Sequence, residues 1–360
     1  MIIKEKKMKK ILTVLLVITI VMGLTACGEK ETNNQTNAKA GQNESTETEK
    51  EPSDDETYVL RMAIVTSQSH THNQSIKNWA EQVKEETNGR LEIRLLDNGS
   101  LGGERDYIEG MKLGTIDMAQ VSSAVVANFL PNFSVMSLPY VFDSYESIGD
   151  IVNGEIGTAL FEDLESINIV GLTWFSNGFR SVFTNVENVT KPEDLNGVKI
   201  RVMESAVMID TLNAMGASAT PMAYSELYTA IQQGVLDGGE NAPGNILNDK
   251  FYEISKQLSL TEHFATPGVV AISKKSFDKL PADLQEYLKE SAQELGVAER
   301  ELDKINQLKA VEELIENGVV VTEVDKEAFK EAVLPLYSTA TEDIDPKILE
   351  LLKETLNIEF

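Results

Sequence analysis

The 360 residues include one cysteine and three histidines. A single cysteine cannot close an intramolecular disulfide, and so few soft ligands leave no Cys/His zinc site and no structural metal. Positive charge is also short: 32 Lys and Arg face 58 Asp and Glu, a formal net charge of −26. A surface so acidic repels phosphate backbones, which excludes nucleic acid as a partner. Catalytic signatures are missing as well, since no Gly-x-Ser-x-Gly, His-Glu-x-x-His, Gly-x-Gly-x-x-Gly or phosphate loop occurs. Ser276-Phe-Asp-Lys279 fits Ser-x-x-Lys but lacks the companion Ser-Asp-Asn and Lys-Thr-Gly segments, so the match is read as coincidence. The chain is therefore read as a non-enzyme without a cofactor.

What is present begins with Lys4, Lys6, Lys7, Lys9 and Lys10, followed by Ile11 to Leu24, a 14-residue run interrupted only by Thr13, Thr19 and Gly23. A basic cluster before an apolar run too short to span a bilayer comfortably reads as an export signal over 1–26. The run ends Leu24-Thr25-Ala26-Cys27, which resembles the lipobox of bacterial lipoproteins. That resemblance implies cleavage, lipid on Cys27 and anchoring to the outer face of the cytoplasmic membrane. From Gly28 to Thr57 there is no Val, Ile, Leu, Met, Phe, Trp or Tyr, so 27–57 reads as a disordered tether.

The rest of the chain is long enough for about two domains. Tyr58 to Val65 reads as a strand, and Thr71 to Thr87 as a helix with Ile76, Trp79, Ala80 and Val83 on one face. A strand at 91–96, a helix at about 104–113 and a strand at 116–121 complete a βαβαβ alternation, which predicts a largely parallel sheet. Strands at 169–175, 198–202 and 269–273, with helices at about 205–215 and 225–233, supply a second α/β set. The most regular segment runs from Pro281 to Asn317, where Leu284, Leu288, Ala292, Leu295, Ala298, Leu302, Ile305, Leu308, Val311 and Ile315 step by three or four. A helix there would be roughly 54 Å long, enough to bridge two lobes; a dimerisation helix is the alternative reading. Two α/β lobes, a cleft, an export signal and no catalytic motif fit a protein that captures a ligand and closes by hinge motion.

The most specific signal lies in the second half. It consists of Lys191-Pro192-Glu193-Asp194-Leu195-Asn196-Gly197-Val198-Lys199-Ile200-Arg201-Val202-Met203-Glu204, then Met215 to Tyr228, then Gln233-Gly234-Val235-Leu236-Asp237-Gly238-Gly239-Glu240-Asn241. Upstream stand Thr87-Asn88-Gly89-Arg90, Gly99-Ser-Leu-Gly102-Gly103-Glu104-Arg105, Gly114-Thr-Ile-Asp117 and Asn177-Gly178-Phe179-Arg180. Together these resemble the DctP-type solute-binding proteins of tripartite ATP-independent periplasmic (TRAP) transporters, over about residues 58–345. The resemblance implies an α/β fold: a two-lobed, periplasmic-binding-protein-like clamshell with mixed sheets and a long helix bridging both lobes. The expected division is 58–178 with about 267–308 for the first lobe, and 179–266 with about 309–360 for the second. The implied function is capture of an organic acid, a C4-dicarboxylate or a sugar acid such as a uronate, and delivery to the two TRAP membrane subunits. A binding lipoprotein serving an ATP-driven importer or a sensor kinase is the alternative.

Arg201 ends a strand, where α/β folds bind ligands, and a guanidinium there offers a two-pronged donor to a carboxylate. An ion pair with one of the many acids is the competing reading, and the resemblance implies the clamp. Arg180 follows the strand that ends the first lobe and is implied as a second cationic contact, with a structural ion pair as its alternative. Tyr224 offers a ring face, or core packing. Asn241 and Glu240 resemble the family's Glu-Asn pair that reaches substrate hydroxyls, and Asn241 could equally be a turn residue. Glu204 is acidic where some sialic-acid-binding members carry Asn, which argues against that substrate. In the first lobe Glu104 and Arg105 open a helix and are read as ligand contacts or as dipole partners. His70 and Asn73, in Gln68-Ser69-His70-Thr71-His72-Asn73, are candidate polar contacts. His70 and His72 at i and i+2 have no third ligand, so Thr71 as helix cap is preferred to a metal pair.

Overall fold

A computed structural model describes residues 56–359. The signal, Cys27 and nearly all of the tether lie outside these residues. Among the described residues, eleven strands form two sheets. The first has the order β2 (Leu91–Leu96), β1 (Tyr58–Ala63), β3 (Met118–Ser122), β10 (Gly268–Ser273) and β4 (Ile169–Phe175). The predicted alternation gives the parallel trio β2-β1-β3. The sheet is nonetheless mixed, because β10 returns from far along the chain and pairs antiparallel with both β3 and β4. On the helix Thr71–Glu86 the residues Ile76, Trp79 and Val83 are buried, as their spacing requires. Asn88 and Gly89, at φ of 52° and 80°, turn the chain into β2.

The second sheet has the order β11 (Val320–Thr322), β9 (Gln257–Phe264), β5 (Arg180–Thr184), β8 (Gly238–Asn241), β6 (Lys199–Val202) and β7 (Ser218–Pro221). Two short segments pass between the sheets, 176–179 from β4 to β5 and 265–267 from β9 to β10. They are tied together where Asn177 Nδ2 donates to the Thr266 carbonyl at 2.6 Å.

The third connection is the helix Ala282–Glu316, 35 residues and so about 52 Å long. Its first half buries Leu284, Leu288, Ala292 and Leu295 against Trp79, Leu172 and Phe175 of the first lobe, and Leu314 near its end joins Phe183, Leu227 and Leu258 of the second. Gly296 marks the closest approach: a Cβ there would stand 1.9 Å from Thr173 Oγ1 and 3.0 Å from the Trp174 carbonyl oxygen. Beyond it the sequence pattern misleads. Leu302, Ile305, Leu308 and Ile315 are exposed, while Glu299, Asp303 and Gln307 face inward. The reason is the lobe junction, whose irregular backbone needs polar partners. Ser176 N donates to Glu299 Oε2 at 2.9 Å and Gly244 N to Gln307 Oε1 at 2.6 Å.

One expected assignment is corrected. β11 and the helix Lys326–Val333 lie against second-lobe strands, but the last helix, Pro346–Leu356, packs on Pro131–Ser137, Tyr145–Asn153 and Glu155–Ser166, which precede β4. Its apolar face, with Ile348 and Leu352, joins a cluster containing Phe133, Ile148 and Leu160, so the tail returns to the first lobe because that is where an apolar surface is free. No helix among the described residues is long and apolar enough to cross a membrane.

Candidate functional site

The carboxyl ends of β3, β6 and β8 converge on one small cavity. The first lobe contributes His70, His72, Glu104, Gln120 and Ser122, the crossing segment and β5 contribute Asn177 and Arg180, and the second lobe contributes Arg201, Glu204, Tyr224, Asn241 and Asn245. Seven of the ten expected site residues thus line one chamber. Arg105 does not: it is exposed, pairs with Glu109 at 3.4 Å and lies over the Phe129 ring, because its position on the helix Glu104–Leu113 turns outward. Asn73 is buried behind the wall, accepting from Thr66 Oγ1 at 2.5 Å, and Glu240 lies beneath it, held by Arg180. Gln120 and Ser122 were missed, although they lie near the end of, and just past, the strand expected at 116–121, where the sheet-edge rule points. Asn245 carried no local signal.

Arg201 is 2% exposed. Its Nε donates to the Met222 carbonyl at 2.8 Å and its guanidinium carbon stands 5.7 Å from the Tyr224 ring centre. Nη1 is buried with no partner, and among the described residues no carboxylate forms a salt bridge with Arg201. Burial lowers its pKa to about 10, against the opposing pull of Glu240. Arg180 is the opposite case. Nε donates to Glu240 Oε2 at 2.5 Å, Nη2 to Glu240 Oε1 at 2.8 Å and to its carbonyl at 2.6 Å, and Nη1 to Asn241 Oδ1 at 2.9 Å. One arginine bonds the protein through all three of its nitrogens, and the other retains a nitrogen without a partner.

Around them the polar groups are largely fixed. Asn241 Oδ1 also accepts from Asn245 Nδ2 at 2.9 Å, and Tyr224 donates its hydroxyl to Asp249 Oδ2 at 2.6 Å. Glu104 Oε1 accepts from Ser122 N at 3.1 Å, and burial pushes its carboxyl up to about 7 despite that bond. The helix Thr71–Glu86 is capped by His70, not Thr71, because the imidazole Nδ1 precedes the first turn and accepts from His72 N at 3.2 Å. The other ring nitrogen, Nε2, then donates to Asn245 Oδ1 at 2.9 Å. His72 Nε2 donates to the Ser176 carbonyl at 2.8 Å, with Glu299 Oε1 at 3.3 Å. Among the described residues no group of three or more His, Cys, Asp or Glu is placed to hold a metal ion.

The three imidazoles differ sharply in charge. Burial, with His72 adding repulsion, lowers His70 to about 4, and burial lowers His263 to about 3. For His72 burial is outweighed by the Glu299 carboxylate, which raises it. Imidazole nitrogen spectra at pH 6 are expected to show His70 and His263 neutral and His72 protonated; a protonated His263 at that pH contradicts the assignment. The linkage follows. Below pH 6.5 the unfolded chain protonates His70 and His263 while the folded chain does not, so these two favour unfolding as pH falls toward 4. His72 stabilises the fold fully below 6.5 and loses that contribution as pH rises through its folded value.

A cleft between two mixed α/β lobes, spanned by a bridging helix and lined by a buried arginine with no ion-pair partner among the described residues, defines a solute-capturing protein. The family model for bacterial extracellular solute-binding protein, family 7 (DctP) matches residues 62–343, and the chain belongs to that family. It is 33% identical over 275 residues to the 2,3-diketo-L-gulonate-binding periplasmic protein of Escherichia coli K12, covering 76% of this chain and 84% of that one. It is 29% identical to the C4-dicarboxylate-binding periplasmic protein of Rhodobacter capsulatus, covering 83% and 91%. The crystal structure of a TRAP periplasmic solute-binding protein from Citrobacter koseri with bound D-glucuronate superposes with a TM-score of 0.79 at 35% identity, covering 84% of this chain and all of that one. The chain is accordingly an extracytoplasmic solute-binding protein of the TRAP class, working with TRAP membrane components, and not an enzyme.

Proposed function

We propose that the protein captures an organic acid outside the cytoplasmic membrane by clamping its carboxylate on Arg201, and delivers it to the TRAP membrane subunits. The observation that carries this reading is the buried, unpartnered Nη1 of Arg201 in the cavity wall. A cationic donor without a partner is costly in a protein interior, and an incoming carboxylate satisfies it with a short, charge-assisted bond. Glu104, Glu204, Tyr224, Asn241 and His70 then contact the rest of the solute. The relatives that bind diketogulonate, C4-dicarboxylates and glucuronate support an acidic ligand.

A thermal-shift panel of uronates, aldonates, C4-dicarboxylates, sialic acid, amino acids and neutral sugars tests it. A solute that binds only the folded state stabilises it by about 2.7 kcal/mol at a hundredfold excess over Kd. The midpoint should rise with a carboxylate and not with its neutral analogue; shifts with neutral sugars alone sink the reading. We also propose that Cys27, following Leu24-Thr25-Ala26, carries the lipid that holds the protein at the membrane. Cys27→Ser should then move the protein from the membrane to the soluble fraction, and unchanged partitioning contradicts the anchor.

A further inference from the structure

The two lobes touch along the mouth of the cavity. A Cβ built on Gly103, just before the helix Glu104–Leu113, stands 3.6 Å from the Ala223 Cβ, and one built on Gly99 stands 3.4 Å from the Ser225 Cβ. The turn that holds Gly99 lies beside the end of β1, since Gly99 N donates to the Ile64 carbonyl at 3.2 Å and Asn98 N to the Thr66 carbonyl at 3.0 Å. Next to Thr66 is Ser67, whose backbone N–H crosses to Asp249 Oδ1 of the second lobe at 3.2 Å. These contacts form one line. Ala223 and Ser225 flank Tyr224, and Tyr224 donates its hydroxyl to the other oxygen of the same carboxylate, Oδ2, at 2.6 Å.

We infer that Asp249 is the latch of the cleft, a positioning residue whose carboxylate holds the first lobe through Ser67 N–H and the cavity-lining Tyr224 through its hydroxyl. The inference goes beyond the Arg201 clamp and does not depend on it. A hydrogen bond that ends on a carboxylate is roughly twice as strong as a neutral one. When the lobes part, Ser67 N–H and Asp249 Oδ1 both return to water, so the net gain from their bond is modest and the contact is reversible. The Tyr224 phenol is held well above its ordinary pKa by burial and by the facing carboxylate, so its hydroxyl stays protonated as the donor. Its ring stands 5.7 Å from the Arg201 guanidinium carbon. The group that ties the lobes therefore also fixes the ring beside Arg201, and closing the mouth and setting the cavity wall become one event.

Other bonds between the lobes lie closer to the long helix. His70 Nε2 donates to Asn245 Oδ1 at 2.9 Å and Asn248 Nδ2 to Thr71 Oγ1 at 3.4 Å, and Asn306 of the long helix donates to the same Thr71 hydroxyl at 3.2 Å. Contacts near the connecting elements shift little when two lobes swing apart about them, whereas contacts at the mouth are pulled open. The Ser67 to Asp249 bond continues the mouth line of Gly99 and Gly103, so it breaks when the cleft opens.

The test reads how often the lips meet and needs no solute. In the full chain with Cys27→Ser, the pair Gly103→Cys and Ala223→Cys places two thiols where a disulfide fits, since Cβ atoms about 3.5–4.5 Å apart suit that bond and Gly103 has an ordinary φ of −90°. Oxidised glutathione takes up the two electrons and leaves as two thiols, and the cross-linking rate is read on non-reducing gels. Adding Asp249→Asn, which keeps shape and removes the charge, should slow cross-linking about fivefold or more without moving the melting midpoint. Loss of a negative charge near the new thiols favours the thiolate and would by itself speed the reaction, so slowing reports the lobes. Glu253→Gln takes an acid from the Tyr228 hydroxyl inside the second lobe and should leave the rate within about twofold. A rate unchanged by Asp249→Asn overturns the latch, as does equal slowing in both variants. Failure of the pair to cross-link in the chain that keeps Asp249 overturns the contact at the mouth. Asp249→Ser, with no amide to face the two donors, gives the same comparison where Asp249→Asn does not fold. None of these outcomes bears on the carboxylate clamp, which is read separately from the binding of acids to Arg201→Ala.

Discussion

Arg201→Ala should weaken binding of the acidic ligand by about 10²- to 10⁴-fold while leaving the melting midpoint of the ligand-free protein within about 2 °C of the unaltered chain. The two halves of this expectation have separate causes. In the complex, the carboxylate of the ligand would be left buried without its cation, a loss of about 3–5 kcal/mol. In the ligand-free protein, Arg201 gives one side-chain hydrogen bond, to the Met222 carbonyl, and no ion pair among the described residues. Removing a buried charge that has no ion-pair partner among the described residues relieves a desolvation cost, which offsets the lost bond of about 1 kcal/mol. Calorimetric titration and a thermal melt of the same preparation check both. A large drop in the ligand-free midpoint would mean that Arg201 serves the fold.

Glu240→Gln should do the reverse and destabilise the ligand-free protein by about 3–5 kcal/mol, because it strips one side of a fully buried pair and leaves the Arg180 guanidinium uncompensated. The replacement keeps shape but turns an amide N–H₂ toward guanidinium N–H groups that now meet carboxylate oxygens at 2.5 and 2.8 Å. A midpoint lower by roughly 5–8 °C corresponds to that range at about 2.1 cal/mol/K of unfolding entropy per residue. Removing both charges together, as Arg180→Met with Glu240→Leu, should recover most of the loss, since two apolar side chains leave no unpaired charge. A Glu240→Gln midpoint within about 2 °C of the unaltered chain would contradict the pairing.

The contrast between these arginines marks how far the sequence could be read. Arg201 is local information: a strand of Lys-Ile-Arg-Val ends at a sheet edge, and edges are where α/β folds bind. Its lack of a partner is not local, since it depends on where every acid in a chain with 58 of them comes to rest. Arg180 and Glu240 lie 60 residues apart and meet only because β5 and β8 pair antiparallel, with Val182 opposite Glu240. No spacing rule announces that register. The parallel trio of the first sheet was legible because each of its strands and helices is longer than four residues, whereas β7 and β8 have four residues each, too few for a period to show.

The long helix shows the same limit from another side. Its three-four stepping correctly gave one continuous helix and the buried face up to Leu295. After Gly296 two stripes compete, and the polar one wins the interior because Ser176 and Gly244 need acceptors there. Hydrophobic periodicity assumes that the partner surface is apolar, and at the junction of two lobes it is backbone. The same demand for partners places His72 beside Glu299, which the sequence could present only as a histidine without a third metal ligand.

The most direct measurement is a crystal structure of the complex with whichever acid gives the largest thermal shift. A carboxylate oxygen of the ligand should lie about 2.7–2.9 Å from Arg201 Nη1, with Arg180 still held by Glu240. A ligand carboxylate bound elsewhere in the chamber, or Arg201 turned onto a carboxylate of the protein, would contradict the clamp.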